Sequence, residues 1–179
     1  MNKKKEAITH QCMKTIKEYL NEGLIRRQAG MDVRVKIEAW LKEYNIKNYT
    51  IKKDLTIDVN RIVKLQNYKE KRLPNYIQFG KTESWFFYNC PNLESLEGCP
   101  KEVETCIWIS DCPNLESLEG CPKEVGEDFV CHDCPKLTSL QGAPQNVGND
   151  FWCGGCGKRF TIEDVEEVSN VKGKITAVK

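Results

Sequence analysis

Histidine is nearly missing from this chain: of 179 residues only His10 and His132 carry an imidazole. A cysteine or serine nucleophile needs a nearby base and a third group to orient it, so few catalytic pairings can be built. No Walker loop, no dinucleotide-type glycine fingerprint and no His-Glu-x-x-His occurs, which removes the common phosphate, nicotinamide and zinc-protease signatures. Long apolar runs are missing too. Nothing approaches the ~18 consecutive apolar residues that a membrane-spanning helix requires. The opening Met1-Asn2-Lys3-Lys4-Lys5 leads into Glu6-Ala7-Ile8-Thr9-His10-Gln11 and not into an apolar signal core, so the expectation is a cytoplasmic protein. In that setting the ten cysteines are expected as reduced thiols or metal ligands, not disulfides. A non-enzyme is expected.

Net charge is also close to absent, at +1, but that figure hides a division. Residues 1–72 hold 18 Lys/Arg against 9 Asp/Glu, whereas 73–179 hold 9 against 17. A basic front and an acidic back imply two surfaces with different partners.

What the chain does have is a repeat. Cys90, Cys112, Cys134 and Cys156 fall 22 residues apart. The same step links Leu93, Leu115 and Leu137; Leu96, Leu118 and Leu140; Gly98, Gly120 and Gly142; Pro100, Pro122 and Pro144; and Val103, Val125 and Val147. Fourteen residues, Cys-Pro-Asn-Leu-Glu-Ser-Leu-Glu-Gly-Cys-Pro-Lys-Glu-Val, occur verbatim from Cys90 and again from Cys112. One such unit cannot bury its apolar face alone, so neighbouring units must stack. The spacing predicts a short strand per unit at 85–87, 107–109, 129–131 and 151–153. Alternation points the first and third residue of each inward and the middle one outward. Gly-x-Pro turns the chain back, and the return limb is too short and Pro-rich for a full helix.

The pattern Phe129-x-Cys131-x-x-Cys134-x-x-Leu137-x-x-Leu140 resembles the strand and ladder positions of leucine-rich repeats. With Ser-Leu-x-Gly-x-Pro-x-x-Val as return limb, the unit is similar to the short repeats of bacterial and bacteriophage leucine-rich proteins over roughly residues 62–162. Residues Trp40–Ile51 with Leu55–Val59 look like the lead-in that precedes such repeats. The expected fold is therefore α+β: a leucine-rich-like β-solenoid of about four coils. The expected divisions are a basic helical N-terminal module with a short β-hairpin over 1–60, the solenoid over 61–162 and a C-terminal cap over 163–179. A first helix is expected near 4–28 and a second over 32–44. Thr161 with Asp164 is expected to cap a short acidic helix, followed by an edge strand within 171–178.

Two Cys-x-x-Cys pairs, Cys131/Cys134 and Cys153/Cys156, have the spacing of a four-cysteine zinc site. The repeat explains the same residues, because Cys131 and Cys153 continue the inward series of Phe87 and Ile109. Inert packing cysteines are the expectation, with zinc as the alternative. Cys99, Cys121 and Ala143 share one slot and are expected to pack. His132 adjoins Cys131, but neighbours in a strand diverge, which argues against a Cys–His pair.

The outward column carries the functional expectation. Phe86, Trp108, Val130 and Trp152 should stack, with Tyr88, Ser110, His132 and Gly154 beside them, and Asn89, Asp111 and Asp133 beyond. Asp128 and Asp150 precede the strands. An aromatic stripe ringed by carboxylates has the chemistry of a protein-binding hot spot. The expected partner-binding set is Phe86, Tyr88, Trp108, Asp111, Asp128, Val130, His132, Asp133, Asp150 and Trp152, with a basic nucleic-acid-handling complex as partner. Cover of the stripe by the N-terminal helices is the competing reading. The glutamate columns Glu94/Glu116, Glu97/Glu119 and Glu102/Glu124 are expected as solvated surface, eased by Lys101 and Lys123. Lys3, Lys4, Lys5, Lys14, Lys17, Arg26 and Arg27 give a nucleic-acid alternative, coupled to the zinc reading. A third alternative is self-assembly through solenoid ends. The resemblance to phage repeat proteins implies a bacterial host cytoplasm, where such a binder would inhibit a defence complex such as a CRISPR nuclease.

Overall fold

The computed structural model describes residues 27 and 30–178; the expected first helix, and Lys3, Lys4, Lys5, Lys14, Lys17 and Arg26, lie outside them. Arg27 is described, as a helical and exposed residue. The chain divides into two units, Met1–Ala39 and Trp40–Lys179. Residues 30–43 are helical, as the spacing of Val33, Ile37, Trp40 and Leu41 predicts; we call this helix α1. Among the described residues no helix is long and apolar enough to cross a membrane.

The second unit is a parallel β-solenoid. Strand β1 (Tyr49–Ile51) forms the expected hairpin with the start of β2 (Ile57–Gln66). Strand β2 then runs parallel to β3 (Phe79–Tyr88), with register shifts between Ile57 and Ile62. Beyond β3 the sheet forks. The first half of β3 pairs with β4 (Glu102–Val103) and its second half with β5 (Ile107–Ser110). One ladder continues through β6 (Glu124–Val125), β8 (Asn146–Val147) and β10 (Asn170–Val171); the other through β7 (Phe129–His132), β9 (Phe151–Gly154) and β11 (Ile175–Val178). Six rungs result, two more than the repeat announces, because β2 adds one before it and β10 with β11 add one after. The return limb is not all turn, since Glu-Val or Asn-Val in each coil makes a two-residue strand.

Register follows from the 22-residue step: Trp85 pairs with Ile107, Ile107 with Phe129 and Phe129 with Phe151. Alternation then sets the core. Trp85, Phe87, Ile107, Ile109, Phe129, Cys131, Phe151 and Cys153 are all buried, as are the Leu93, Leu96 and Val103 series. Phe79 meets Trp85 and Phe129 meets Phe151 with ring centroids 4.8 Å apart. Each fully buried Leu or Phe contributes about 1.5–3 kcal/mol, so one column of six-fold repetition outweighs any single polar contact.

Two backbone devices recur once per coil. Gly98, Gly120 and Gly142 take φ of 89°, 90° and 86°. A side chain on Gly120 would also stand 2.5 Å from the Leu96 carbonyl carbon of the coil before. At the end of each main strand, Asn67, Asn89, Asp111, Asp133 and Gly155 occupy the left-handed region with φ of 52–60°, where Asn, Asp and Gly are tolerated best. Side-chain amides tie coil to coil: Asn92 Nδ2 donates to Lys69 O at 2.7 Å and Asn114 Nδ2 to Pro91 O at 2.6 Å.

The expected capping pair and the late strand form at the C-terminus, the strand as a further rung of the solenoid. Thr161 caps helix α2 (Ile162–Glu166) in a reciprocal capping box with Asp164, and Lys158 reaches the Asp164 carboxylate at 2.8 Å. The glutamate columns are eased differently from expectation. Lys71 pairs with Glu94 at 2.8 Å, Arg72 with Glu97 at 3.0 Å and Lys136 with Glu116 at 3.7 Å, each from an adjacent coil. Asn146 Nδ2 donates to Glu124 at 2.8 Å. Lys101 and Lys123, which stand just before β4 and β6, make none of these pairings.

Candidate functional site

On the outward face of β2, β3, β5, β7, β9 and β11 the pairing aligns two columns. One runs Lys64, Phe86, Trp108, Val130, Trp152 and Thr176; the other Gln66, Tyr88, Ser110, His132, Gly154 and Val178. Of the large apolar side chains exposed in the second unit, Ile62, Tyr88, Trp108 and Val178 all lie on this face; Tyr49 and Ile162 do not. Trp108 is 41% and Tyr88 43% exposed. Phe86 and Trp152 are half-buried.

The aromatic stripe differs from a simple stack. Val130 points outward but is 8% exposed, so it contributes floor and not contact surface. Its short side chain sits between the Trp108 and Trp152 rungs, and His132 from the next column closes over the gap. The imidazole meets Trp108 at 5.9 Å and Trp152 at 4.9 Å between centroids, edge-on to both at 79° and 75°. Its Nδ1 lies 2.7 Å from Asp133 Oδ2. Ser110 and Gly154 are buried; at Gly154 the Val178 side chain packs against the bare backbone. At the first rungs Lys64 Nζ sits over the Tyr88 ring, 5.7 Å from its centroid.

The carboxylates have two kinds of work. Asp128 Oδ1 accepts from Asp150 N at 3.1 Å and Asn149 Nδ2 at 2.7 Å, and Asp150 Oδ1 accepts from Lys174 N at 2.8 Å. Each therefore ties its coil to the next, a structural duty the sequence did not announce. Asp111 and Asp133 occupy left-handed positions, and the Asp111 carboxylate has no hydrogen-bond or ion-pair partner among the described residues. Ile62, Lys64 and Val178 were missed; counting back 22 residues from Ser84 and Phe86 would have found the first two.

Six of the nine described thiols are buried, and Cys106, Cys121 and Cys156 are half-buried. All nine described cysteines are free. Cys112, Cys134 and Cys156 donate to the carbonyls of Ser110, His132 and Gly154 at 3.3–3.4 Å. Cys131 Sγ lies 4.0 Å from Cys134 Sγ. Contact with the Cys134 and Cys156 thiols, together with burial, pushes Cys131 up from the usual thiol range; burial pushes Cys153 up to about 12. Among the described residues, no three His, Cys, Asp or Glu side chains are grouped so as to hold a metal ion. Cys131 faces inward and His132 outward, so the strand separates thiol from imidazole. A cavity of about 690 Å³ beside α2 is lined by Cys121, Gln141, Lys158, Phe160 and Asp164 among others, with no histidine among its lining residues, and burial raises the Cys121 thiol.

Comparison of the chain with family models, with curated proteins and with solved structures returns no match.

Proposed function

We propose that this protein is a non-catalytic protein-binding solenoid that engages its partner through the outward face of the main strand ladder. The observation that carries the reading is the gathering of Ile62, Tyr88, Trp108 and Val178, exposed apolar side chains, on one sheet face. Scattered exposed hydrophobics are ordinary; a set gathered on one sheet face beside carboxylates is characteristic of an interface. The inward thiols and the outward imidazole support the non-catalytic part of the reading. The likeness of the repeat to bacterial and phage leucine-rich proteins supports a partner within a bacterial cell. The acidic back half favours a basic, nucleic-acid-handling complex, and inhibition of a defence nuclease is the role that joins these features.

A tagged chain would be used for capture from bacterial lysate, with and without added nuclease. Wild type would be compared with the triple variant Phe86→Ala, Trp108→Ala, Trp152→Ala, its fold checked by circular dichroism. A nuclease-resistant partner lost by the folded triple variant supports the strand face. Capture that survives the triple change, or that vanishes with nuclease, overturns it.

A further inference from the structure

We infer that the Trp108–His132–Trp152 cluster is a seat for an arginine side chain of the partner; this rests on the strand face being the binding surface. The fold already holds one cation against an aromatic ring on this face. Lys64 sits over Tyr88, two columns meeting across adjacent rungs. Further along the same columns the rings continue but the internal cations stop. Among the described residues, no Lys or Arg stands over Trp108 or Trp152. Indole is the strongest of the aromatic faces for a cation, and Trp108 offers 41% of its surface to solvent.

The charge around the cluster has one sign. Glu127 and Asp128 flank it before the strands and Asp111 and Asp133 after them, while Lys64 and Lys174 stand at the outermost rungs. Asp111 is the carboxylate without a partner among the described residues, and it follows Trp108 by three residues at the end of β5. Ser110, between them, has its Oγ buried without a hydrogen-bond partner. A planar cation beside the exposed Trp108 would stack on the indole and meet Asp111 with paired N–H donors.

Those two demands select arginine over lysine. Guanidinium is flat, weakly hydrated and carries its donors in a fork that matches a carboxylate, whereas an ammonium is a compact, strongly hydrated point charge. A nucleic acid is disfavoured by the same carboxylates, which would repel its phosphates.

The test titrates the full chain with three soluble peptides of equal length, carrying arginine, lysine or citrulline at the same spaced positions, followed by calorimetry. The arginine peptide is expected to bind roughly five- to tenfold more tightly than the lysine peptide, and the uncharged citrulline peptide not measurably. Trp108→Ala should bring the arginine affinity down to that of lysine. Asp111→Asn, which keeps a residue suited to the left-handed position, should do the same without touching the aromatic packing. Equal affinity for arginine and lysine overturns the seat and reduces the face to plain charge attraction. Arginine preference that survives both substitutions also overturns it. If no peptide is preferred while the triple aromatic variant still loses its captured partner, the seat falls and the strand face stands. If the triple variant keeps its partner, the strand-face reading falls as well.

Discussion

The His132 imidazole stands edge-on to Trp152, with centroids 4.9 Å apart and planes at 75°, and it is this ring, not Val130, that joins the two tryptophans into one surface. His132→Ala should therefore leave the solenoid folded, since the position faces outward and is half-buried. It should cost about 1 kcal/mol of stability, as expected for loss of edge-to-face contacts, and weaken partner capture. Urea denaturation and the pull-down read the two effects separately.

Inward and outward members of one strand should behave oppositely. Trp85→Ala removes a fully buried indole and should destabilise by about 3–5 kcal/mol. Trp108→Ala, on an exposed side chain, should cost less than about 1 kcal/mol yet remove binding. Equal destabilisation by the two would mean that the face is core.

Gly120→Ala should be among the most damaging single-atom-scale changes in the chain. It forces a Cβ into a φ of 90° and against the Leu96 carbonyl carbon. The backbone strain alone is worth about 1–3 kcal/mol. At Asp111 the demand is milder: Asp111→Gly should be nearly neutral, while Asp111→Val should lose about 1–2 kcal/mol. Thermal unfolding of the two series compares them directly.

Thiol labelling should be ordered by burial. Cys106, Cys121 and Cys156 are the three half-buried thiols, and Cys156, which the contact with Cys131 holds below the usual thiol range, should be alkylated first in the folded protein. Cys131 and Cys153 should label only on unfolding, because both thiols are pushed up, Cys153 to about 12, and thiolate is the reactive form. Peptide mass spectrometry after a short pulse of iodoacetamide measures the order. Rapid labelling of Cys153 would show that the core opens locally.

The C-terminal helix should be acid-sensitive. Lys158 first, and then the Thr161 backbone, hold the Asp164 carboxyl below the usual carboxylate range. A depressed folded value means that the stabilisation is complete above the unfolded value of ~4. It is lost as pH falls through the folded one. Hydrogen exchange at the Val165 and Ser169 amides should therefore gain protection between acid and pH 5, and Asp164→Asn should flatten that gain.

The solenoid was legible because a repeated unit states its own register. Once Cys90, Cys112, Cys134 and Cys156 fix the step, the inward and outward residues of β5, β7 and β9 follow by alternation. The outer rungs were not legible to the same degree, since neither keeps the leucines. The coil of β2 has Tyr68, beyond the strand, where later coils have cysteine, and the pairing of β2 to β3 slips between Ile57 and Ile62. The last rung is displaced by α2, so Phe151 pairs with Ile175, 24 residues on. At the site, sequence located the columns but not the contacts. Which rings touch depends on side-chain size across three rungs, and the short Val130 let His132 into a place that column order gives to no one. The bonds of Asp128 and Asp150 to the next coil cross between units and leave no trace in either unit alone.

The identical step has a consequence for length. Because residues of β3, β5 and β7 pair with those 22 on, excision of residues 112–133 would join Asp111 to Cys134 and leave every remaining rung with a partner of the right kind. The shortened chain should still fold, with Trp108 now beside Trp152 at the ~4.8 Å spacing of adjacent strands. The distance between its two tryptophans is thus a countable quantity, written in whole coils.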